Sequence, residues 1–183
     1  MAEPVDVATA KGRLGIASNH RDTEIEMLIS AAREEIEDLS GHILMRRDVF
    51  EALPRVEEPC FEVCAWPVRE IKRLIYVDDA GEEQEIAGAD LRKVNSMRPV
   101  RIGPLVNASL PTDIHNPVIV VTAGYLGDEA EPYPPKLIQA LLVLVGLWFE
   151  DHEGQKPIPQ QVRDVCASAR AWHGCCHESC VWR

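Results

Sequence analysis

The sequence predicts an α+β fold, a bundle of about four helices with a mainly antiparallel β region inserted between the second and the third. Three observations predict it: helical periodicity toward both ends, a period of two in the middle, and the run "LIQALLVLVGLWF", in which only Gln139 is conventionally polar.

The first helix is expected over 5–16. In "VDVATAKGRLGI", Val7, Ala10 and Leu14 fall on one face, Asp6 is available as a cap and Gly15 stands near the end. After the polar turn "SNHRD", the stretch "TEIEMLISAAREEIEDLSG" predicts an amphipathic helix over 23–40, about five turns long. Thr23 with Glu26 three residues on fits a capping box, and Gly41 supplies the stop. Ile25, Leu28, Ile29, Ala32, Ile36 and Leu39 form its apolar stripe, with Glu24, Glu34, Glu35 and Asp38 opposite.

Over 43–123 the apolar period shortens to two and turn residues recur, in "PRVEEP", "DDAG", "AGAD", "MRP" and "LPTDIHNP". Strands are expected near 44–53, 60–64, 71–77, 83–86, 91–94, 100–102 and 118–123. "IYVDDAGEEQEI" carries a hairpin signal, with Gly81 providing the backbone freedom that its loop needs.

The third helix is expected over 135–151, opened by Pro134 and Pro135 where a first turn tolerates proline. Its apolar run is roughly 20 Å long against a hydrocarbon core of about 30 Å, so it does not predict a membrane span. "MAEPVDVATAKG" has neither a basic n-region nor an apolar h-region, and no secretory signal is expected. The chain therefore reads as soluble and made in a cytoplasm. A soluble helix that is apolar all round must be covered on most faces, by its own domain or by another chain. A fourth, amphipathic helix over 159–171 places Val162, Val165, Cys166 and Ala169 on one face, and "HGCCHESCVWR" (173–183) follows as a tail without period. One domain is expected over 1–172.

Composition narrows the function. At 183 residues, 46% hydrophobic and 27% charged, the chain has the make-up of an ordinary globular protein. Its net charge of −11 argues against a binder that neutralises nucleic-acid phosphates, although acidity also serves as a wall that keeps DNA from adhering. Six cysteines without a secretory signal read as thiols rather than disulfides.

The strongest candidate for chemistry is the tail cluster His173, Cys175, Cys176, His177 and Cys180. Zinc takes about four N or S ligands, but structural sites pair ligands set well apart, and these all crowd together. A tail of thiols is the preferred reading, and no metal or other cofactor is assigned. Cys60 and Cys64, four apart in an expected strand, read as two small buried hydrophobes on one face. His20, His42, His115 and His152 sit in turns without a nucleophile and orienting group to match, and Glu34, Glu35, Glu37 and Asp38 read as a solvated helix face. Neither Gly12 with Gly15 nor Gly124 with Gly127 completes a phosphate-binding pattern. No enzyme is predicted.

The order of these parts resembles the head-to-tail connector, or adaptor, proteins of long-tailed phages and gene transfer agents. The features that carry the resemblance are "VDVATAKGRLGI", "IEMLISAAREEIEDLSGHIL", "WPVREIKRLIYVDDAGEEQEI", "VIVVTAGY" and "YPPKLIQALLVLVGLWFEDHEG", which together cover roughly 5–172. The resemblance implies a virion structural protein that assembles at the head-to-tail interface, in the host bacterial cytoplasm. There it forms a ring of about a dozen copies beneath the portal protein, with head-to-tail contacts closing the circle. Such a ring extends the DNA channel, lets DNA pass without specific binding, and docks a tail-side stopper or next connector. The carboxy-terminal segment is expected to engage the portal, through Trp172, His173, Val181, Trp182 and Arg183. The apolar helix is expected to pack on its own sheet, on the amphipathic helix and on a neighbouring subunit, through Leu137, Leu141, Leu144, Trp148 and Phe149. Acidic residues lining the lumen would repel DNA phosphates, with the helix face and the loop of Asp78, Asp79, Glu82 and Glu83 as candidates. The cysteines of the last eleven residues depart from the family pattern, and the alternative they support is a metal- or redox-responsive binding module.

Overall fold

A computed structural model of the chain describes residues 3–53, 60–95, 99–106, 108–112, 114–151 and 156–170. The described residues form two compact units, one from the chain up to Met45 together with Tyr125–Arg170, the other from Arg46–Gly124. The first is helical and the second is β.

In the helical unit, α1 spans Val7–Leu14. The Asp6 carboxylate accepts from the Thr9 backbone N–H at 2.6 Å, and Gly15 closes the helix in the left-handed region at φ 69°, as its sequence promised. The next helix, α2, spans Asp22–Ser40 and stops at Gly41, φ 65°. Its start differs from the expected capping box: Arg21 occupies the cap position and no side chain caps the helix. The Arg21 guanidinium instead forks onto Glu24, with both N–O distances 2.6 Å, and Thr23 falls inside the first turn. Asp22 and Glu24 then oppose the positive end of the helix.

The apolar helix, α3, spans Pro135–Glu150, and α4 spans Gln160–Ala169. Together with α1 and α2 they enclose a core built on Ile25, Ile29, Ile36, Leu137, Leu141 and Leu144, all at most 1% exposed. α3 packs against α1, α2 and α4, which is why it is apolar on more than one side. No helix among the described residues is long and apolar enough to cross a membrane.

The β unit contains, among the described residues, seven strands: β1 Arg47–Ala52, β2 Phe61–Val63, β3 Val68–Val77, β4 Glu83–Ala87, β5 Leu91–Lys93, β6 Val100–Pro104 and β7 His115–Ala123. They form a four-stranded sheet in the order β1-β7-β3-β4 and a three-stranded one in the order β2-β6-β5, with every pair antiparallel. The α+β class expected from the sequence is thus the observed one. β3 and β7 both begin three residues earlier than the sequence indicated. Irregularities in their pairing at Val68/Glu70, Ile71/Arg73 and Ile75/Val77 break the strict alternation by which a strand is recognised.

Inward-facing Val49, Leu74, Ile119 and Val121 of the larger sheet, and Phe61, Val63, Val100 and Ile102 of the smaller, are all buried. Gly88, in a 3-10 turn at Gly88–Asp90, lies so close to the β3 backbone that a Cβ there would run into the Ile71 and Lys72 carbonyls. Of the cysteine pair read as buried, Cys60 is a half-buried free thiol just before β2, whereas Cys64 is buried and disulfide-bonded. The observed strand covers only Phe61–Val63, so same-face alternation never extends from 60 to 64, and the thiol expectation fails at Cys64.

Candidate functional site

The sequence offered no catalytic constellation, so the surfaces to weigh are those that serve assembly. The five α3 residues expected at a subunit contact divide into two groups. Leu137, Leu141 and Leu144 are 0% exposed, facing α3's helical partners within the chain. Trp148 and Phe149 are half-buried at the far end of the helix and also lean on that core. The guanidinium carbon of Arg21 sits 3.9 Å from the centre of the Phe149 ring, so the ring's open face is partly roofed by a cation that Glu24 already holds. Hydrogen bonding to Glu24 raises the Arg21 pKa above its ordinary value. The greasiness of α3 is thus largely satisfied inside one chain, and by itself does not demand a neighbouring copy.

The acidic surfaces also sort themselves by geometry. On α2, Glu26, Glu34 and Asp38 are exposed, as a solvated face requires. Glu37, assigned to that face from sequence, is instead 6% exposed. Its Oε1 accepts from the backbone N–H groups of Leu44 at 2.6 Å and Met45 at 3.2 Å, while Oε2 pairs with Arg33 at 3.2 Å. Glu37 follows Ile36 round the helix, and the chain folds back over it after Gly41, so a position that periodicity leaves ambiguous becomes an internal tie. Glu51 plays the same part in the β unit, accepting from Cys64 N at 2.8 Å and Ala65 N at 3.2 Å. Sequence reasoning missed it because one carboxylate in an alternating strand carries no signal of what lies opposite.

In the β3–β4 hairpin, Asp78 is spent on its own loop. It accepts from the Glu82 and Ala80 N–H groups and from Gln84, each at 2.9 Å. The Glu82 backbone hydrogen bond, then the Gln84 side chain, holds the Asp78 carboxyl below its usual range. Asp79 reaches His115 at 2.7 Å. Glu82 and Glu83 point to solvent, and exposed Glu85 pairs with Arg73 of β3 at 3.6 Å.

Among the described residues neither thiol chemistry nor a metal centre emerges. Among the described residues no group of three His, Cys, Asp or Glu side chains is placed to hold an ion. Burial pushes the Cys166 thiol up to about 11, which makes it a poor nucleophile. The tail cluster, and with it Trp172, His173, Val181, Trp182 and Arg183, lies outside the described residues, as does His152. Of the histidines that sequence reading set aside, His42 proves 8% exposed and bonded through both ring nitrogens, to the Tyr125 hydroxyl at 2.9 Å and to the Ala169 carbonyl at 3.0 Å.

No family model matches the chain, and no curated protein does. Solved structures do. The chain is similar to one from the neck of an empty GTA particle computed with C6 symmetry, at 24% identity and TM-score 0.73 over 97% of this chain and 96% of that one. A chain from the virion of a native gene transfer agent particle matches at 25% identity and TM-score 0.72, over 95% and 93%. A third, from the neck of a native GTA particle computed with C12 symmetry, matches at 26% identity and TM-score 0.71, over 97% and 96%.

In fold, then, the chain is a head-to-tail connector-type protein, as the order of its sequence elements indicated. More particularly, its likeness runs over nearly its whole length to chains that stand in the neck of gene transfer agent particles, within symmetric assemblies.

Proposed function

We propose that the chain is a structural adaptor subunit that forms a ring of about a dozen copies beneath the portal protein, extends the DNA channel and docks the next tail-side protein, with no catalytic step. The observation that carries this reading is the near-complete overlap with neck chains, one of them in a C12 assembly, since a match over 96% of that chain leaves little of either protein to serve another purpose. The contacts of a cyclic ring are heterologous, so two different patches must meet. On α3, Trp148 and Phe149 have surface to offer a neighbour, with Leu137, Leu141 and Leu144 holding the helix firm beneath them. Residues 171–183 form the portal-binding segment, through Trp172, His173, Val181, Trp182 and Arg183.

The charge of −11 serves the channel. Glu26, Glu34 and Asp38 on α2, or Glu82, Glu83 and Glu85 on the hairpin, keep DNA from adhering where they face the lumen. Electron microscopy of the full chain mixed with portal rings of the same particle tests the assembly. Closed rings of about twelve subunits on one end of the portal are expected. A chain that stays single and leaves the portal bare overturns the proposal, and an assembled lumen of net positive potential removes the electrostatic part of it.

A further inference from the structure

Outside its core, the helical unit carries two exposed helix faces of opposite charge. On α2, the side turned away from Ile25, Ile29 and Ile36 holds Met27, which is 63% exposed, more than any other large apolar residue described in that unit. It sits in a shallow groove of about 400 Å³ lined by Thr23, Glu26, Met27, Ser30, Ala31 and Glu34. A lone exposed methionine is ordinary surface. This one is framed by carboxylates. Glu26 and Asp38 are exposed with no cation beside them among the described residues, and Glu34, though 3.3 Å from Arg33, keeps 70% of its side chain exposed.

α4 presents the reverse. Val162 and Cys166 face the core, and the outer side exposes Arg163, Ala167 and Arg170. Neither arginine has a carboxylate partner among the described residues, and Asp164, the acid of this helix, is engaged by Gln160 at 2.8 Å. Arg163 and Arg170 stand about 10 Å apart along the helix axis at 1.5 Å per residue, and Glu26 and Glu34 about 12 Å apart. Between the two cations lies the small Ala167; between the two carboxylates lie Met27 and Ala31. Small residues at the centre of a helix pair allow the axes to approach to about 8–10 Å. The two faces therefore match in charge and in spacing. They belong to one compact unit and differ in composition, so a contact between them is heterologous and passes on from copy to copy.

We propose that the Met27 groove is the docking site for a second copy of this chain, which enters with the Arg163, Ala167 and Arg170 face of its α4 and sets the two arginines against Glu26 and Glu34. The inference deepens the ring reading and rests on it, by naming the two unlike patches that a cyclic assembly requires. Exposed ion pairs are weak singly, so the contact also depends on covering Met27 with the arginine stems and on repetition round the ring. With Glu26 and Glu34 turned to a neighbour, the channel wall falls to the carboxylates of the β3–β4 hairpin.

The test uses two charge-reversed full chains, Glu26→Arg with Glu34→Arg and Arg163→Glu with Arg170→Glu, each added to purified portal rings of the same particle. All four positions are exposed, and both variants are expected to melt as wild type does. Electron microscopy counts the portals that carry a ring. Either variant alone sets like charges together at every contact, and ring-bearing portals are expected to fall about tenfold. In an equimolar mixture the α2 face of each variant meets a complementary α4 face on the other. An alternating ring of even copy number then closes, as C6 or C12 symmetry permits, and most of the wild-type count returns. A misfolded variant gains nothing from mixing, so recovery in the mixture distinguishes a lost contact from a lost fold. Variants that decorate portals as wild type does overturn the contact and leave the ring reading intact, and so does a mixture that leaves portals as bare as either variant alone. Normal rings that no longer hold the tail-side protein give the groove to that partner and likewise overturn the contact. Wild-type chains that leave the portal bare overturn the ring reading, and the contact with it.

Discussion

Leu141→Ala distinguishes a helix that is core from a helix that is interface. Leu141 is 0% exposed at the middle of α3, in a core shared with α1, α2 and α4. Truncating a fully buried leucine removes its transfer free energy and leaves a cavity whose walls relax only in part, a loss of about 2–5 kcal/mol. At a site enclosed by four helices we expect about 3 kcal/mol. For a chain of this size each kcal/mol shifts the melting temperature by about 2–4 °C, so the midpoint falls by roughly 6–12 °C. The assay is thermal or urea unfolding of the dilute, unassembled chain at several protein concentrations. The deficit is expected at every concentration, because the partners of Leu141 are in the same chain. A variant that melts like wild type when dilute but fails to assemble on the portal refutes the reasoning, and places Leu141 at the subunit contact instead.

Glu37→Ala strands the Leu44 and Met45 N–H donors and loosens Arg33, and is expected to lose about 2–4 kcal/mol in urea unfolding, with Glu37→Gln intermediate because its amide oxygen still accepts. Gly88→Ala drives a methyl into the Ile71 and Lys72 carbonyls, and a loss of about 1–3 kcal/mol is expected, read by melting temperature; an unchanged melting point would falsify the close approach. Cys166 is held neutral by burial up to about 11, against 9.0 for an ordinary thiol. The unfolded chain ionises first, so the stability contribution of the folded thiol is complete below about 9 and is lost as pH rises through about 11. Unfolding midpoints of wild type and Cys166→Ala measured across that window should converge as pH rises. At pH 8 an alkylating reagent should modify half-buried Cys60 well before Cys166, read by mass spectrometry.

Local chemistry settled what the sequence by itself determined. Asp6 and Gly15 mark α1, Gly41 ends α2, the prolines open α3 and the period of two marks the β region, because caps, turns and amphipathic stripes act within a few residues of chain. The identity of the connector-type fold was legible in the order of those parts. Only the tertiary structure decided which polar groups lie inside. Glu37 follows a stripe residue and could face either way until the chain folds back over it, and Glu51 in an alternating strand carries no mark of the loop it will hold. The partners of His42 stand 83 and 127 residues away, beyond the reach of any local pattern. The apolar run of α3 posed the same problem in reverse. A sequence states that such a helix must be covered, but burial is a property of surfaces brought together in space, and it took the packed helices to show that the cover is largely the chain's own.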